Sequence, residues 1–195
     1  MHKYYIFYKP YLTISQFSPE GDKVTLAHHL PDIPKDVYPV GRLDHDSEGL
    51  LLLTSDKSLT NQLLNPAFGH KRTYYVQVDG AITPEAIAQL KSGVTISIDG
   101  KQYRTKKAEV VLLTGEPLLP ERNPPIRVRK SIPVSWISIT LTEGKNRQVR
   151  RMTAAVGFPT LRLVRYSISN VTMAGIQPGE FRIYDADIIA SLLKK

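Results

Sequence analysis

The sequence predicts an α+β protein whose central sheet is mixed but largely antiparallel, with helices packed on it. Three observations favour this fold class. Segments typical of strands outnumber helical segments, several of them are joined by hairpin-like connections, and no segment is repeated along the 195 residues. The composition does not change sharply anywhere, so one domain is expected. Two sub-lobes around a cleft, joined between Val78 and Pro84, are compatible with the pattern.

The first 70 residues predict two strands and one helix. Aromatic and β-branched residues at 4–8 are typical of a strand, which Lys9-Pro10 stops. The apolar run 50–53, followed by Thr54, Ser55 and Asp56, indicates a buried strand that ends in a turn. Residues 58–64 then predict a short helix, which Asn65-Pro66 breaks.

The middle of the chain predicts further strands around a helix. Residues 71–79 alternate, with Tyr74, Val76 and Val78 on one face. Thr83 as N-cap and Pro84 at the first position indicate a helix that continues to residue 91. Strands are expected at 94–98 and 108–113, followed by a long loop, 114–133, that holds five of the 14 prolines.

The C-terminal third predicts a strand with Ile137, Ile139 and Leu141 facing inward. Asn146 is expected to cap a helix that continues to about residue 156, where Gly157 and Pro159 end it. Short strands at 161–166 and 181–184 and a final helix at 186–193 complete the predicted fold.

The composition excludes several classes of protein. With 42% hydrophobic and 23% charged residues the chain is typical of a globular protein. It contains no Cys, which excludes disulfide scaffolds, thiolate metal sites and Cys nucleophiles. Its apolar runs are far shorter than the ~20 residues that span a bilayer, and the N-terminal residues lack the pattern of a secretory signal. We therefore expect a cytoplasmic protein that does not enter membranes.

The positive charge is concentrated in one segment. The chain has 26 basic and 18 acidic residues, and residues 121–165 contribute ten basic against two acidic ones, so the rest of the chain is balanced. Such a concentration is typical of a protein that binds a polyanion, and nucleic acid is the expected partner, with a solvated basic face as the alternative. The ten are Arg122, Arg127, Arg129, Lys130, Lys145, Arg147, Arg150, Arg151, Arg162 and Arg165.

An acidic turn at residues 41–49 carries Asp44, Asp46 and Glu48 and allows three interpretations. The spacing imitates the start of a calcium-binding loop, but the last ligand position falls on Ser55 instead of a Glu. Paired carboxylates also suit glycoside hydrolysis. The third interpretation is structural, with the carboxylates binding nearby backbone amides and Arg42. The turn by itself does not decide between them.

Taken with other segments, this turn resembles the motifs of the pseudouridine synthases, in the branch that modifies rRNA. Residues 41–44 with 47–51 match the catalytic motif of that branch, and Lys9-Pro10 matches its opening motif. Residues 72–76 match the second motif with Arg72 in place of Lys, and residues 144–152 match the third. The resemblance covers nearly the whole chain, in the right order.

The resemblance extends to the substrate and the domain organisation. Residues 122–127 and 129–133 resemble the type of these enzymes that acts on 23S rRNA. Many relatives carry a small RNA-binding module before the catalytic part, whereas this chain reaches Lys9-Pro10 early. Residues 1–195 are therefore expected to form a single catalytic domain without that module.

The implied reaction isomerises uridine to pseudouridine: the N-glycosidic bond breaks, the uracil turns, and its carbon 5 joins the sugar. The resemblance makes Asp44 the catalytic carboxylate, Arg150 its compensating cation, and Tyr74 an active-site residue that stacks on the uracil. It also implies extrusion of the target base from the RNA, with Arg42 in the vacated place. Whether Asp44 acts as nucleophile or base stays open. Residues expected to bind RNA are Arg42, Arg122, Arg127, Arg129, Lys130, Lys145, Arg147 and Arg151.

Neither a metal nor a cofactor is expected, since the isomerisation needs no redox change and the five His residues do not form a ligand pattern. A monomer is expected. Two other functions stay open at this point. The chain could bind RNA or assist ribosome assembly without chemistry, or it could hydrolyse a nucleoside or glycoside with its carboxylates.

Overall fold

The computed structural model describes residues 2–126 and 132–193. The chain divides into two compact units, Met1–His70 with Val164–Lys195, and Lys71–Leu163. The predicted join between Val78 and Pro84 is therefore wrong. The physical reason is that an unbroken strand, Arg72–Asp79, begins just after His70 and belongs entirely to the second unit.

The N-terminal part of the first unit is built on two long buried strands. Its elements are β1 (Tyr4–Lys9), β2 (Thr13–Ile14), β3 (Val24–Thr25), α1 (Leu26–His29), β4 (Tyr38–Pro39), β5 (Glu48–Thr54), α2 (Lys57–Leu64) and a 3-10 helix (Pro66–Phe68). Every residue of β1 and β5 is buried, the charged Lys9 and Glu48 included, and the strands pair antiparallel from Tyr4 with Thr54 to Lys9 with Gly49. Asp56 caps α2 by accepting from the Leu59 amide.

The second unit is an antiparallel sheet with helices against its core. Its elements are β6 (Arg72–Asp79), α3 (Pro84–Ser92), β7 (Thr95–Ile98), β8 (Lys101–Arg104), β9 (Glu109–Leu112), β10 (Val134–Leu141) and α4 (Gln148–Ala155). β10 pairs antiparallel with both β6 and β9, and β7 and β8 form a separate hairpin. Val76, Leu90, Ile139 and Met152 lie in the core of this unit.

The last strands return the chain to the first unit. They are β11 (Thr160–Ile168), β12 (Val171–Thr172) and β13 (Phe181–Tyr184), followed by α5 (Ala186–Leu193). β13 pairs antiparallel with β1, whereas β11 pairs parallel with β5 at Val164–Glu48 and Arg165–Gly49. The mixed, largely antiparallel α+β fold that the sequence predicts is confirmed.

Two of the differences from the sequence predictions lie in the second unit. No element was predicted between residues 98 and 108, where β8 lies; it pairs with β7 because Asp99 and Gly100 both adopt the positive φ of a two-residue hairpin turn. Asn146 does not cap α4. The N-cap is Arg147, in a left-handed conformation without a side-chain cap bond, while the Gln148 side chain accepts from the Lys145 amide.

Within the described ranges, no helix combines the length and the apolar character that crossing a membrane would require.

Candidate active site

The acidic turn between β4 and β5 holds Asp44 in a fixed backbone position. Leu43 is buried, and Ser15 brackets it: the Ser15 hydroxyl donates to the Leu43 carbonyl at 2.8 Å, and the Leu43 amide donates to the Ser15 oxygen at 3.0 Å. On the other side, the His45 carbonyl accepts from the Leu12 amide at 3.0 Å. Asp44 itself is half-buried, which suits a group that must meet a substrate while partly shielded from water.

The calcium interpretation of this turn is wrong. Glu48, which would lie inside a calcium loop, is buried and is the first residue of β5. A strand therefore replaces the second half of the loop. Among residues 2–126 and 132–193, no group of three or more His, Asp and Glu side chains is arranged to hold a metal ion.

Two buried cations lie beside this turn in the first unit, and sequence reasoning missed the role of both. Lys9 is 0% exposed, and its ammonium donates to the carbonyls of Pro10 at 2.9 Å and Thr13 at 2.6 Å. Arg165 is also buried, and its Nε donates to the Leu50 carbonyl at 2.8 Å. The sequence signal for Lys9 was its place directly after five buried strand residues, where an ordinary surface lysine is rare.

Lys9 is coupled electrostatically to the whole turn. Burial lowers the pKa of Lys9 to about 7, the charges of Glu48, Asp46 and Asp44 raise it in that order, and the charge of Arg165 lowers it. The turn therefore places three carboxylates around a buried lysine, and their attraction offsets only part of the cost of burying the charge of Lys9. Asp44 belongs to this charged cluster.

The pKa of Lys9 predicts a pH-dependent stability. In the unfolded chain Lys9 keeps its proton up to its ordinary pKa near 10.5, whereas in the folded protein it loses the proton near pH 7. Between these values the unfolded state binds more protons, so this group makes folding more favourable as the pH rises. From pH 6 to pH 9 the free energy of unfolding of the wild type should gain about 2–3 kcal/mol relative to Lys9→Met.

Urea unfolding of both proteins at the two pH values measures this difference. Lys35→Met, which replaces an exposed lysine of the same unit, is the matched control and should change by the same amount at both pH values. A difference between wild type and Lys9→Met that does not vary with pH would show that Lys9 keeps its proton in the folded state.

The second unit contains Tyr74 and Arg150. Tyr74 lies on β6, half-buried against the core of this unit and opposite Ile139 of β10, on the face that alternation predicted. Arg150 is half-buried on α4, whereas its neighbours Val149 and Met152 are buried in the core of this unit. The joint action of Asp44, Tyr74 and Arg150 stays a prediction, since Asp44 belongs to the other unit.

Glu143 fixes the segment that leads into α4, and the sequence did not indicate this role. It is buried and accepts three hydrogen bonds, from the Tyr103 hydroxyl at 2.5 Å, the Lys106 amide at 2.9 Å and the Gln148 side chain at 2.6 Å. The bond to Glu143 and burial raise the pKa of Tyr103 to about 12, so its hydroxyl stays a hydrogen-bond donor to Glu143 even at a pH where an ordinary tyrosine loses its proton. The start of α4 is thereby tied to β8.

The predicted RNA-binding residues have different environments. Arg42, Lys145 and Arg147 are exposed, as a phosphate contact requires. Arg122 is half-buried, and its Nε donates to the Pro124 carbonyl at 2.9 Å. Arg151 donates to the backbone oxygen of Asn146 at 3.1 Å, to its side-chain oxygen at 3.0 Å and to the carbonyl of Ser97, so its structural contacts hold α4 and β7 together.

The other five arginines and lysines of the basic segment fall into two groups. Arg127, Arg129 and Lys130 lie outside the described residues. Arg162 and Arg165 are buried, and Arg162 donates to the Pro120 carbonyl at 2.7 Å. These two therefore do not add to an exposed basic face, although the sequence pattern had included them in it.

Comparison with known proteins gives a consistent result. The family model described as RNA pseudouridylate synthase matches residues 3–155. "Ribosomal large subunit pseudouridine synthase E" of Vibrio parahaemolyticus is 48% identical over 180 residues, which are 92% of this chain and 73% of that protein. The protein of the same name in Xanthomonas campestris is also 48% identical over 180 residues, 91% of this chain and 93% of the relative.

More distant relatives agree with these. "Ribosomal large subunit pseudouridine synthase B" of Bacillus subtilis is 32% identical over 179 residues, covering 92% of this chain and 66% of that protein. Among solved structures, a crystal structure of pseudouridylate synthase superimposes with a TM-score of 0.79 at 24% identity, over 98% of this chain and 74% of the other, which supports the fold.

Proposed function

The chain belongs to the RNA pseudouridylate synthase family, and from that premise we propose that it isomerises a specific uridine of 23S rRNA to pseudouridine. Relatives at 48% identity along most of the chain are named as large-subunit rRNA enzymes, which supports this substrate. The protein is an isomerase, since no atoms are added or lost overall. Because the proposed substrate is rRNA, we expect the protein to act in the cytoplasm, and we expect it to act as a monomer.

The reaction exchanges one bond for another at the same sugar carbon. The bond from the anomeric carbon to N1 of uracil breaks, the detached base turns, and C5 bonds to the anomeric carbon. The hydrogen on C5 leaves as a proton, and N1 gains one, so atoms and charges balance. The protein must therefore provide a group that stabilises the electron-poor sugar carbon and a pocket that keeps the free base from leaving.

Asp44 is the proposed group, and the observation that carries the proposal is its fixed position in the acidic turn. Ser15 holds Leu43 from both sides, and the charge of Asp44 interacts with the buried Lys9 when that lysine is protonated. A carboxylate held this way needs little reorganisation when positive charge develops on the sugar. The family motif carries the same Asp, and this supports the assignment.

The other proposed roles follow the family motifs. We propose that Arg150 is the cation that compensates the charge of Asp44, and that the ring of Tyr74 stacks on the uracil. Arg42, two residues before Asp44, is exposed, which suits a residue that occupies the place of an extruded base. Arg122, Arg127, Arg129, Lys130, Lys145, Arg147 and Arg151 are proposed to bind rRNA phosphates.

The experiment incubates the protein with unmodified 23S rRNA transcript and maps pseudouridine along it. With less enzyme than RNA, we expect pseudouridine to form at one or a few positions without any added metal or cofactor. Binding without product would contradict the proposal and support an RNA-binding or assembly factor. Release of free uracil would also contradict it and indicate a hydrolase.

A further inference from the structure

The hairpin of β7 and β8, with the residues that follow it, carries a second concentration of positive charge outside the basic segment 121–165. Lys101, Arg104, Lys106 and Lys107 are all exposed, and we call these four residues the hairpin surface. Asp99 is the one acidic residue from 99 to 107, so this stretch has a net charge of +3. Within the part of the chain that the structure describes, no carboxylate forms an ion pair with any of the four.

Four unpaired cations on nine residues repel one another, and an isolated flexible hairpin would spread them apart. Here the backbone is fixed. Glu143 accepts from both the Tyr103 hydroxyl and the Lys106 amide, and the Thr105 hydroxyl oxygen accepts from the Val94 amide at 2.9 Å. These hydrogen bonds at Tyr103, Thr105 and the Lys106 amide therefore hold the backbone that carries the four cations.

Glu143 and Tyr103 also bring the hairpin surface close to the predicted RNA-binding residue Lys145. The Lys145 ammonium lies 4.9 Å from the centre of the Tyr103 ring, and Tyr103 directly precedes Arg104. Gln148 of α4 and Lys106 share the Glu143 carboxylate. The hairpin surface and the segment around Lys145 are thus held by one buried carboxylate, within the second unit alone.

We propose that the hairpin surface binds the phosphate backbone of the rRNA substrate and continues the contact made at Lys145 and Arg147. This inference rests on the proposed function for the identity of the RNA. A polyanion explains the arrangement, because its phosphates would compensate the cations that no carboxylate of the described residues neutralises, and because a backbone already held in place lowers the entropy lost on binding. An acidic protein segment is the competing partner.

The test compares two variants with equal charge loss. The first replaces Lys101, Arg104, Lys106 and Lys107 by Gln. The matched control replaces four exposed lysines of the first unit, Lys3, Lys23, Lys35 and Lys57, by Gln. Filter binding with radiolabelled, unmodified 23S rRNA transcript, repeated across salt concentrations, measures the affinity and its salt dependence. Thermal unfolding confirms that both variants fold.

We expect the hairpin variant to bind the transcript about tenfold to 100-fold more weakly near 0.1 M salt, and its plot of log affinity against log salt to be shallower by about two to three. In the control variant the slope should decrease by less than half as much as in the hairpin variant. An unchanged slope in the hairpin variant, or equal losses in the two variants, would overturn the inference. If the wild type formed no pseudouridine while the hairpin variant still lost affinity, the proposed function would fail and the RNA-binding surface would stand.

Discussion

Replacing Asp44 by Asn is expected to abolish pseudouridine formation, with a loss in kcat of about 10⁴-fold. The substitution keeps the shape of the side chain and the backbone bonds around Leu43 while it removes the negative charge. Without that charge nothing in the turn compensates the positive sugar carbon in the same geometry. Single-turnover assays with 23S rRNA transcript, followed by mapping of pseudouridine, give the rate.

Binding and folding should survive this change. Asp44 is half-buried, and removing one negative charge from a protein of net charge +8 favours binding to RNA slightly, so the affinity of the Asn variant should equal or exceed that of the wild type. Loss of activity together with loss of affinity or of the folded state would show that Asp44 is structural. Product formation at the wild-type rate would remove it from the chemistry.

Replacing Gly49 by Ala should have the largest effect on stability. Gly49 has a φ of +106°, where L residues are strained, and it pairs with Arg165 across the parallel strands β5 and β11. A Cβ at this position would overlap the Arg165 carbonyl oxygen and lie 2.8 Å from its nitrogen. Both contacts are to backbone that cannot move away cheaply. We expect the free energy of unfolding to fall by about 3–5 kcal/mol.

Gly21→Ala separates the two causes of this loss. Gly21 also has a positive φ, of 56°, but a Cβ there meets no atom within 4 Å, so its cost should be only about 1 kcal/mol. Urea denaturation with unchanged m-values gives both numbers. Equal losses at the two positions would mean that the strands separate easily at Gly49 and that the close approach to Arg165 does not constrain the acidic turn.

The long regular elements could be predicted from the sequence because their signals are local. Alternation identified β6 and β10, and Thr83 with Pro84 identified the start of α3, where the Thr83 side chain accepts from the Ala86 amide. β8 was missed because three of its four residues are polar or charged and only the turn before it signals a hairpin. The lobes were misplaced because the first unit is discontinuous along the chain.

The candidate site was only partly predictable for a different reason. Asp44 stands in a recognisable motif, but the burial of Lys9, Arg165 and Glu143 depends on strands and helices that are distant in sequence. Charged residues are usually exposed, so a pattern-based analysis assigns them to the surface. Arg165 was accordingly counted with the RNA-binding charge, although it donates to the Leu50 carbonyl inside the first unit.

The most direct test of Asp44 as the catalytic carboxylate measures the release of the hydrogen on C5 of the target uracil. RNA transcribed with tritium at C5 is incubated with the wild type, Asp44→Asn and Asp46→Asn, since Asp46 is a half-buried carboxylate of the same turn and its loss changes the net charge equally. We predict that the wild type and the Asp46 variant release tritium to water while the uracil stays attached to the RNA, and that the Asp44 variant releases none. Tritium release by Asp44→Asn at the rate of the other two proteins, or its loss in the Asp46 variant alone, would contradict the account.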